Sequence, residues 1–525
     1  MKKATVEPSC TGQFSSLFLD YLAQKPELQS FYSFFPAIEN FEKLIQQKNF
    51  SQEKRDVLTD VLHQQYEGFT ISERTKDQIE SLRSAKTFTV ITGHQLNLFT
   101  GPLYFIYKIV TTINLAEQLK KAYPDYHFVP VYWLASEDHD FDEINYFKLD
   151  GQKYQWNSNQ TGSVGDFQLD ETFREFYKSV AHFAPEFFKD AYLGSKTLAE
   201  AGRKYVHHLF GEKGLLIVDG KSRELREFFT EVIQDDLTQH TAFTKATKQT
   251  QVLEDLGYKS QIFPREINLF YSVKGIRERI EQVGDRYQVL NTELEFSKEE
   301  ILQLAKDTPE VFSPNVVLRP LYQEMILPNL AYIGGPAEIV YWLQLKPVFD
   351  YFGEAFPAVM PRNFATVLDK PIQRKIEKLG LSHKELFQSV LDWKKGYIET
   401  HASTDLFLSE ERDALKAVFE NAKPQALTLD QTLGKSFEAA TVRANKILDQ
   451  LAKKLRKAEE RKHAQEIRIR EEIFSYLYPG GSPQERVENF MKFYLGNPEF
   501  IEELFGAFDP LDFNFIILSQ DGDKG

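Results

Sequence analysis

The stretch Ser136-Glu137-Asp138-His139-Asp140, with Asp142 and Glu143 just beyond, packs five carboxylates into seven residues and sets two of them around a histidine. Carboxylates this close repel one another unless they are solvated, paired or bound to a cation. A carboxylate beside an imidazole can fix its tautomer or raise its pKa for acid–base work, which makes Asp138, His139 and Asp140 the catalytic candidates. A solvated acidic loop would account for the same residues, but this run follows directly on the apolar "VPVYWLA". A second group is Gly93-His94-Gln95 with Thr100-Gly101-Pro102. Backbone amides at a helix start suit a phosphate or carboxylate, so His94, Gln95, Thr100 and Gly101 are candidates for holding substrate. Neither a Walker A loop nor the spaced glycines of a dinucleotide fingerprint is present. A third group, Asn315, Arg319 and Gln323, lies in "SPNVVLRPLYQE". A guanidinium in an apolar setting needs an anion, from the protein or from substrate. The fourth is Gly334-Gly335-Pro336, where backbone can approach a ligand closely, with Glu338 in the first turn of the helix that follows. Tyr341 and Trp342 read as core. No His-Glu-x-x-His or comparable pattern argues for a metal site.

These groups need a scaffold that delivers them to one place. "KTFTVITGH" reads as a core strand, "GPLYFIYKIVTTINLAEQLKKAY" as a helix and "HFVPVYWLA" as a second strand. The helix would bury Ile106, Ile109, Val110 and Ile113, with Thr100 as its N-cap and Pro102 in its first turn. Strand, helix and strand make a βαβ unit with a parallel sheet, whose ligands gather beyond the carboxyl ends of the strands. "KGLLIVDGKSRELREFFTEVI" repeats the pattern with Ser222 as a cap. "NVVLRP", "LAYIGGPAEIVYWLQLKPVF" and "FPAVMPRN" add further strand, turn and helix signals. Residues 1–85 read as helical, and insertions with β content are expected at 150–200 and 262–295. From about 371 the chain reads as a helical arm. Leu433, Phe437, Ala440, Ala444, Ile447 and Leu451 form a coiled-coil seam, and Pro424 is expected to split the arm into at least two helices. The expected domains are a core of residues 1–370, an arm of 371–475, and a segment of 476–525 that returns to the core.

With 63 Lys and Arg against 77 Asp and Glu, the net charge of −14 argues against phosphate-backbone binding as the main activity. The basic helix "KKLRKAEERKH" carries acidic partners and reads as a solvated face. No apolar stretch is long enough to span a membrane, and no secretory signal is recognisable. The single cysteine, Cys10, excludes an intrachain disulfide and a cysteine zinc cluster. The expected setting is the cytoplasm.

The stretches "GHQLNLFTGPLYFIYKI", "VPVYWLASEDHDFDEIN", "NVVLRPLYQEMILPNLAYIGGPAEIVYW" and "PAVMPRN" occur in an order that resembles the bacillithiol biosynthesis cysteine-adding (BshC) family over most of the chain. In the arm the likeness is one of pattern rather than of residues. Many members carry Gly-Gln-Gln where this chain has Gly93-His94-Gln95, a departure that puts His94 in doubt and leaves Gln95 as the family position. The resemblance implies an α/β fold: a Rossmann-like parallel-sheet core, similar to class I synthetases and nucleotidyltransferases, with connecting insertions. It also implies a coiled-coil arm that pairs two protomers into a homodimer. The implied activity joins cysteine to glucosaminyl-malate by an amide bond, and the motif positions, Gly334 and Gly335 included, come over as site candidates rather than assigned catalysts. Activation of cysteine by ATP, through an adenylate or acyl phosphate, would need Mg²⁺, which Glu137 or Asp138 could help bind. Other readings are a nucleotidyltransferase-like enzyme acting on another small acid, and a non-catalytic coiled-coil scaffold.

Overall fold

The β-branched run Thr87–His94 forms β1, whose first seven residues are all buried. A near-continuous apolar strand is what a parallel sheet covered on both faces requires. In the computed structural model, which describes residues 1–520, β1 is the middle strand of a five-stranded parallel sheet. α1 (Tyr104–Ala122) crosses over to β2 (His127–Leu134), which pairs with β1 from Thr87 opposite His127 to His94 opposite Leu134. β3 (Leu216–Val218) then lies beside β2. An inserted antiparallel sheet follows, made of β4 (Leu269–Val273), β5 (Ile276–Val283), β6 (Arg286–Val289), β7 (Glu295–Ser297) and β8 (Phe312–Pro314). Its spatial order is β7-β6-β5-β4-β8. After α2 (Arg319–Ile326), β9 (Asn329–Gly334) pairs with the other side of β1, and β10 (Ala358–Pro361) follows α3 (Pro336–Trp342) to the edge. The core order is therefore β10-β9-β1-β2-β3, with its topological switch between β1 and β9.

Several local expectations change. Ile106, Ile109, Val110 and Ile113 are buried as the stripe requires, but so are Phe105, Tyr107, Thr111 and Thr112 on the other faces of α1. The C-terminal segment packs on one of these faces, where Tyr107 meets Phe508 with ring centroids 5.0 Å apart and Asn114 Nδ2 donates to the carbonyls of Phe505 and Phe508 at 3.0 and 2.8 Å. Thr100 is not the N-cap of α1. Phe99, Thr100 and Gly101 take successive φ values of 51°, 69° and 61°, and the helix begins only at Tyr104. Asn489 Nδ2 holds this left-handed turn by donating to the carbonyls of Phe99 and Gly101 at 2.8 and 2.7 Å. Ser222 stands at a helix N-cap position but makes no capping bond. The strand near residue 315 is Phe312–Pro314, and "NVVL" is the turn into α2. A strand, Lys2–Val6, precedes the helices of the first 85 residues. The 150–200 insertion contributes only one short hairpin, Tyr146–Leu149 with Gln152–Gln155, before it turns helical.

The chain forms two compact units, one of residues 3–366 with 482–518 and one of residues 367–481. In the first, the returning C-terminal segment is tied in by a buried bidentate pair. Arg362 donates Nη1 to Glu485 Oε2 at 2.9 Å and Nη2 to Glu485 Oε1 at 2.5 Å. The second unit contains α4 (Ser409–Leu429), α5 (Leu433–Lys462) and α6 (Ala464–Leu477). Pro424 lies inside α4, so the helix continues past it and the break falls at Asp430–Thr432, where Asp430 Oδ1 accepts the Thr432 amide. α4 and α5 are joined by Arg412–Asp449 at 2.7 Å and Lys423–Glu438 at 3.0 Å. Phe437, Ala440, Ala444 and Leu448 are half-buried, but Ile447 and Leu451 are 59% and 45% exposed. No helix among the described residues is long and apolar enough to cross a membrane.

Glu485→Gln leaves the buried Arg362 without its counter-charge, so a loss of about 3 kcal/mol in unfolding free energy is expected from urea titration. A loss below about 1 kcal/mol would mean that another group carries that charge.

Candidate active site

At the carboxyl edge of the sheet, next to the switch between β1 and β9, lies a cleft of about 1120 Å³. The acidic motif is anchored there residue by residue. Ser136 Oγ donates to Asp219 Oδ1 at 2.7 Å, just beyond β3. Glu137 Oε2 accepts Arg226 Nη2 at 2.7 Å, from a guanidinium with no solvent exposure. Asp138 Oδ1 accepts the amides of His139 and Asp140, and its Oδ2 accepts Gln95 Nε2 at 2.9 Å. Gln95 Nε2 also donates to Glu143 Oε2 at 2.8 Å. The β1 turn and the motif after β2 thus meet directly, and Gln95 and His139 line the same cleft.

Geometry limits what the two histidines can do. His94 Nδ1 accepts the Gln95 amide at 2.8 Å, so in the neutral ring Nε2 carries the hydrogen. The ring stacks on Tyr104 with centroids 5.0 Å apart. Burial, aided by the Lys108 ammonium, pushes its pKa down to about 3. His139 Nδ1 accepts Arg277 Nη1 at 2.5 Å, which makes its Nε2 the donor in the neutral ring. Burial first and then the neighbouring guanidinium lower its pKa, outweighing Asp138 and Asp140. His139 is therefore a hydrogen-bond donor rather than an open base while Arg277 is in place.

On the other side of the switch, Lys108 from α1 donates to the Gly93 carbonyl at 2.9 Å and pairs with Glu338 Oε2 from α3 at 2.5 Å. Burial opposes the Glu338 charge, but the Lys108 ammonium, the Tyr332 hydroxyl and the Gly335 amide hold its carboxyl down at about 2. Arg319 donates Nη1 to Gln323 Oε1 at 3.0 Å and Nη2 to the Tyr341 hydroxyl at 3.4 Å. Arg277 donates Nε to Ser313 Oγ at 3.3 Å and lies 3.9 Å from the Phe270 ring centroid. Among the described residues neither guanidinium forms an ion pair with a carboxylate. The cleft is lined by Lys108, Arg265, Arg277, Arg279, Arg319, Arg362 and Arg486 against Glu137, Asp138, Glu143 and Glu338. This cationic lining stands in a chain of net charge −14.

Of the catalytic and substrate-holding candidates, His94, Gln95, Asp138, His139, Asn315, Arg319 and Gly335 line the cleft. Asn315 also caps the turn into α2, its Oδ1 accepting the amides of Val317 and Leu318. The others fall outside the lining. Asp140 is an exposed residue at the start of the helix Phe141–Ile144. Thr100 and Gly101 belong to the turn held by Asn489, and a Cβ on Gly101 would lie 2.5 Å from Asn97. Gly334 lies against Glu338 and Tyr332, and Gln323 is buried behind Arg319. Sequence reasoning missed Arg277, which nothing in "KGIRERI" distinguishes. It also missed Lys108, whose signal was present as a lone cation inside the apolar "YFIYKIV". Among the described residues no three His, Cys, Asp or Glu side chains group as a metal site.

Because the folded state holds His94 neutral down to about pH 3 while an unfolded histidine protonates near 6.5, His94 makes stability fall as pH drops through that window. His94→Gln is expected to flatten this slope in denaturant titrations between pH 6.5 and 4. An unchanged slope would show that the ring protonates in the folded state.

The match to known families covers nearly the whole chain. Residues 1–363 match the family model described as the bacillithiol biosynthesis BshC N-terminal Rossmann-like domain. Residues 365–520 match the BshC C-terminal coiled-coil domain. A protein of Flavobacterium psychrophilum named "Putative cysteine ligase BshC" is 42% identical, covering 97% of this chain and 98% of its own. Proteins of the same name from Cytophaga hutchinsonii and Christiangramia forsetii are also 42% identical, the first covering 96% of both chains and the second 97% of both. With its Rossmann-like sheet and coiled-coil region, this chain belongs to the bacillithiol biosynthesis BshC family.

Proposed function

We propose that the cleft joins cysteine to glucosaminyl-malate through an amide bond, making the protein a cysteine ligase of bacillithiol biosynthesis. The observation that carries this reading is the pair of cleft guanidiniums, Arg277 and Arg319, neither of which forms an ion pair with a carboxylate among the described residues. Substrates bearing a malate dicarboxylate and an amino-acid carboxylate supply the anions such a lining demands. The names of the relatives support the same chemistry.

In the reaction the amine nitrogen of the glucosaminyl group attacks the activated carboxyl carbon of cysteine, the leaving group departs with its electron pair, and the amine gives up a proton. The Asp138 carboxylate, steadied by Gln95, is placed to accept that proton. His139, with Nδ1 occupied by Arg277, donates through Nε2 to an oxygen that gains charge. Arg319 holds a malate carboxylate. ATP with Mg²⁺ would supply the activation of the cysteine carboxyl. Two points support this cation: Mg²⁺ keeps waters and phosphate oxygens and needs only one or two carboxylates, and Glu137 Oε1, next to Asp138 in sequence, has no hydrogen-bond partner among the described residues.

We also propose that the arm pairs two copies of the chain. No residue of α4 is buried, and Val418, Leu429 and Ile447 are 63%, 85% and 59% exposed, an apolar surface that the two-helix hairpin leaves uncovered.

A mass-spectrometric assay with cysteine, glucosaminyl-malate and ATP–Mg²⁺ should show the amide product, and omission of ATP should abolish it. No product with all components present would overturn the ligase reading, and product without nucleotide would overturn the ATP step alone. Light scattering at micromolar concentration should report a dimer, converted to monomer by Ile447→Glu with Leu451→Glu. A wild-type monomer would contradict the pairing.

A further inference from the structure

Gln323 lies one helical turn beyond Arg319 and is fully buried. Its Oε1 accepts Arg319 Nη1 at 3.0 Å, while its Nε2 donates to Glu324 Oε1 at 2.9 Å. An amide offers an acceptor on one side and donors on the other, whereas an ionised carboxylate only accepts. Glu324 therefore decides which way the amide faces, nitrogen towards itself and oxygen towards Arg319. Glu324 has its own anchors. Its Oε1 also accepts Asn329 Nδ2 at 2.7 Å, and Lys48 Nζ lies 3.7 Å from its Oε2 and donates to its backbone carbonyl at 2.8 Å. Both side chains of that ion pair are buried, Lys48 at 1% exposure and Glu324 at 0%. A second carboxylate, Glu354, stands 3.7 Å from the same ammonium.

We propose that Glu324 is a positioning residue for the ligation: through the Gln323 amide it holds the Arg319 guanidinium in the cleft with N–H groups left over for a substrate carboxylate. Were the amide reversed, its NH₂ would face the guanidinium, two donors against each other, and Arg319 would lose its fixed pose. The carboxylate that orients the cleft arginine is thus itself anchored from outside the sheet, by Lys48, just beyond the helix Phe41–Gln47. This inference rests on the reading that Arg319 takes a malate carboxylate of glucosaminyl-malate.

The test is steady-state kinetics of the full chain for Arg319→Met, Glu324→Met, and the double variant Lys48→Met with Glu324→Met, methionine leaving the Gln323 amide no acceptor at that position. The double variant removes both buried charges together, so neither is stranded if the single change fails to fold. Loss of a hydrogen bond to a charged group corresponds to about a tenfold change in binding. Glu324→Met and the double variant should therefore raise KM for glucosaminyl-malate about tenfold, and Arg319→Met by at least as much. For the two Glu324 variants the KM for cysteine and kcat should stay within about threefold, a split that general structural damage would not produce. If Arg319→Met raises KM for glucosaminyl-malate but the Glu324 variants do not, the relay is overturned and the proposed function stands. Equal rises in both KM values would overturn the relay as well. If Arg319→Met itself leaves that KM unchanged, the Arg319–malate contact falls and the relay with it, while product formation still carries the ligase reading.

Discussion

The buried pair of Lys108 and Glu338 spans the point where the sheet changes direction. Lys108 belongs to the helix that follows β1, Glu338 to the helix that follows β9, and these neighbouring strands send their crossovers in opposite directions. A gap must open there, and backbone ends of both strands face it. Two charges in such a place are costly unless each satisfies the other and its remaining bonds are met. Here Lys108 also binds the Gly93 carbonyl, and Glu338 also takes the Gly335 amide and the Tyr332 hydroxyl. The pair fixes the two strand-end turns against each other. The positions of His94 and Gln95 on one side and of Gly335 on the other follow from it.

Around that fixed seam the cleft is assembled from segments far apart in sequence. Arg277 comes from the inserted sheet, Arg319 from the helix before β9, and the acidic motif from the end of β2. Each residue of Ser136-Glu137-Asp138 is bound by a different element, which turns a self-repelling run into a rigid wall with Asp138 available at its face. Opposite charges are thereby sorted: acceptors gather at the β1 and β2 ends, while guanidiniums that form no ion pair among the described residues come from the insertion and α2. An overall acidic chain thus carries a cleft suited to anions.

Much of this was legible in the residues. Period and composition located the core strands because buried parallel strands have few alternatives to Val, Ile, Thr and aromatic side chains. The acidic motif and the Gly-His-Gln turn stood out because polar residues directly after buried strands must emerge at the sheet edge. Thr100 misled because a Thr before Gly-Pro looks like a helix cap, whereas three successive left-handed residues make a turn that depends on Asn489, almost 400 positions away in sequence. Pro424 misled because a proline removes one hydrogen bond but does not oblige a helix to end. Arg277 and Glu324 were illegible, since their meaning lies in the long-range partners His139 and Lys48, which local pattern does not encode.

The most direct test of the central claim is a crystal structure of the protein with glucosaminyl-malate bound. The account expects the malate carboxylates within hydrogen-bond distance of Arg319 at the β1–β9 switch, with the glucosaminyl amine turned towards Asp138. A ligand seated elsewhere, or one whose carboxylates avoid both Arg319 and Arg277, would contradict it.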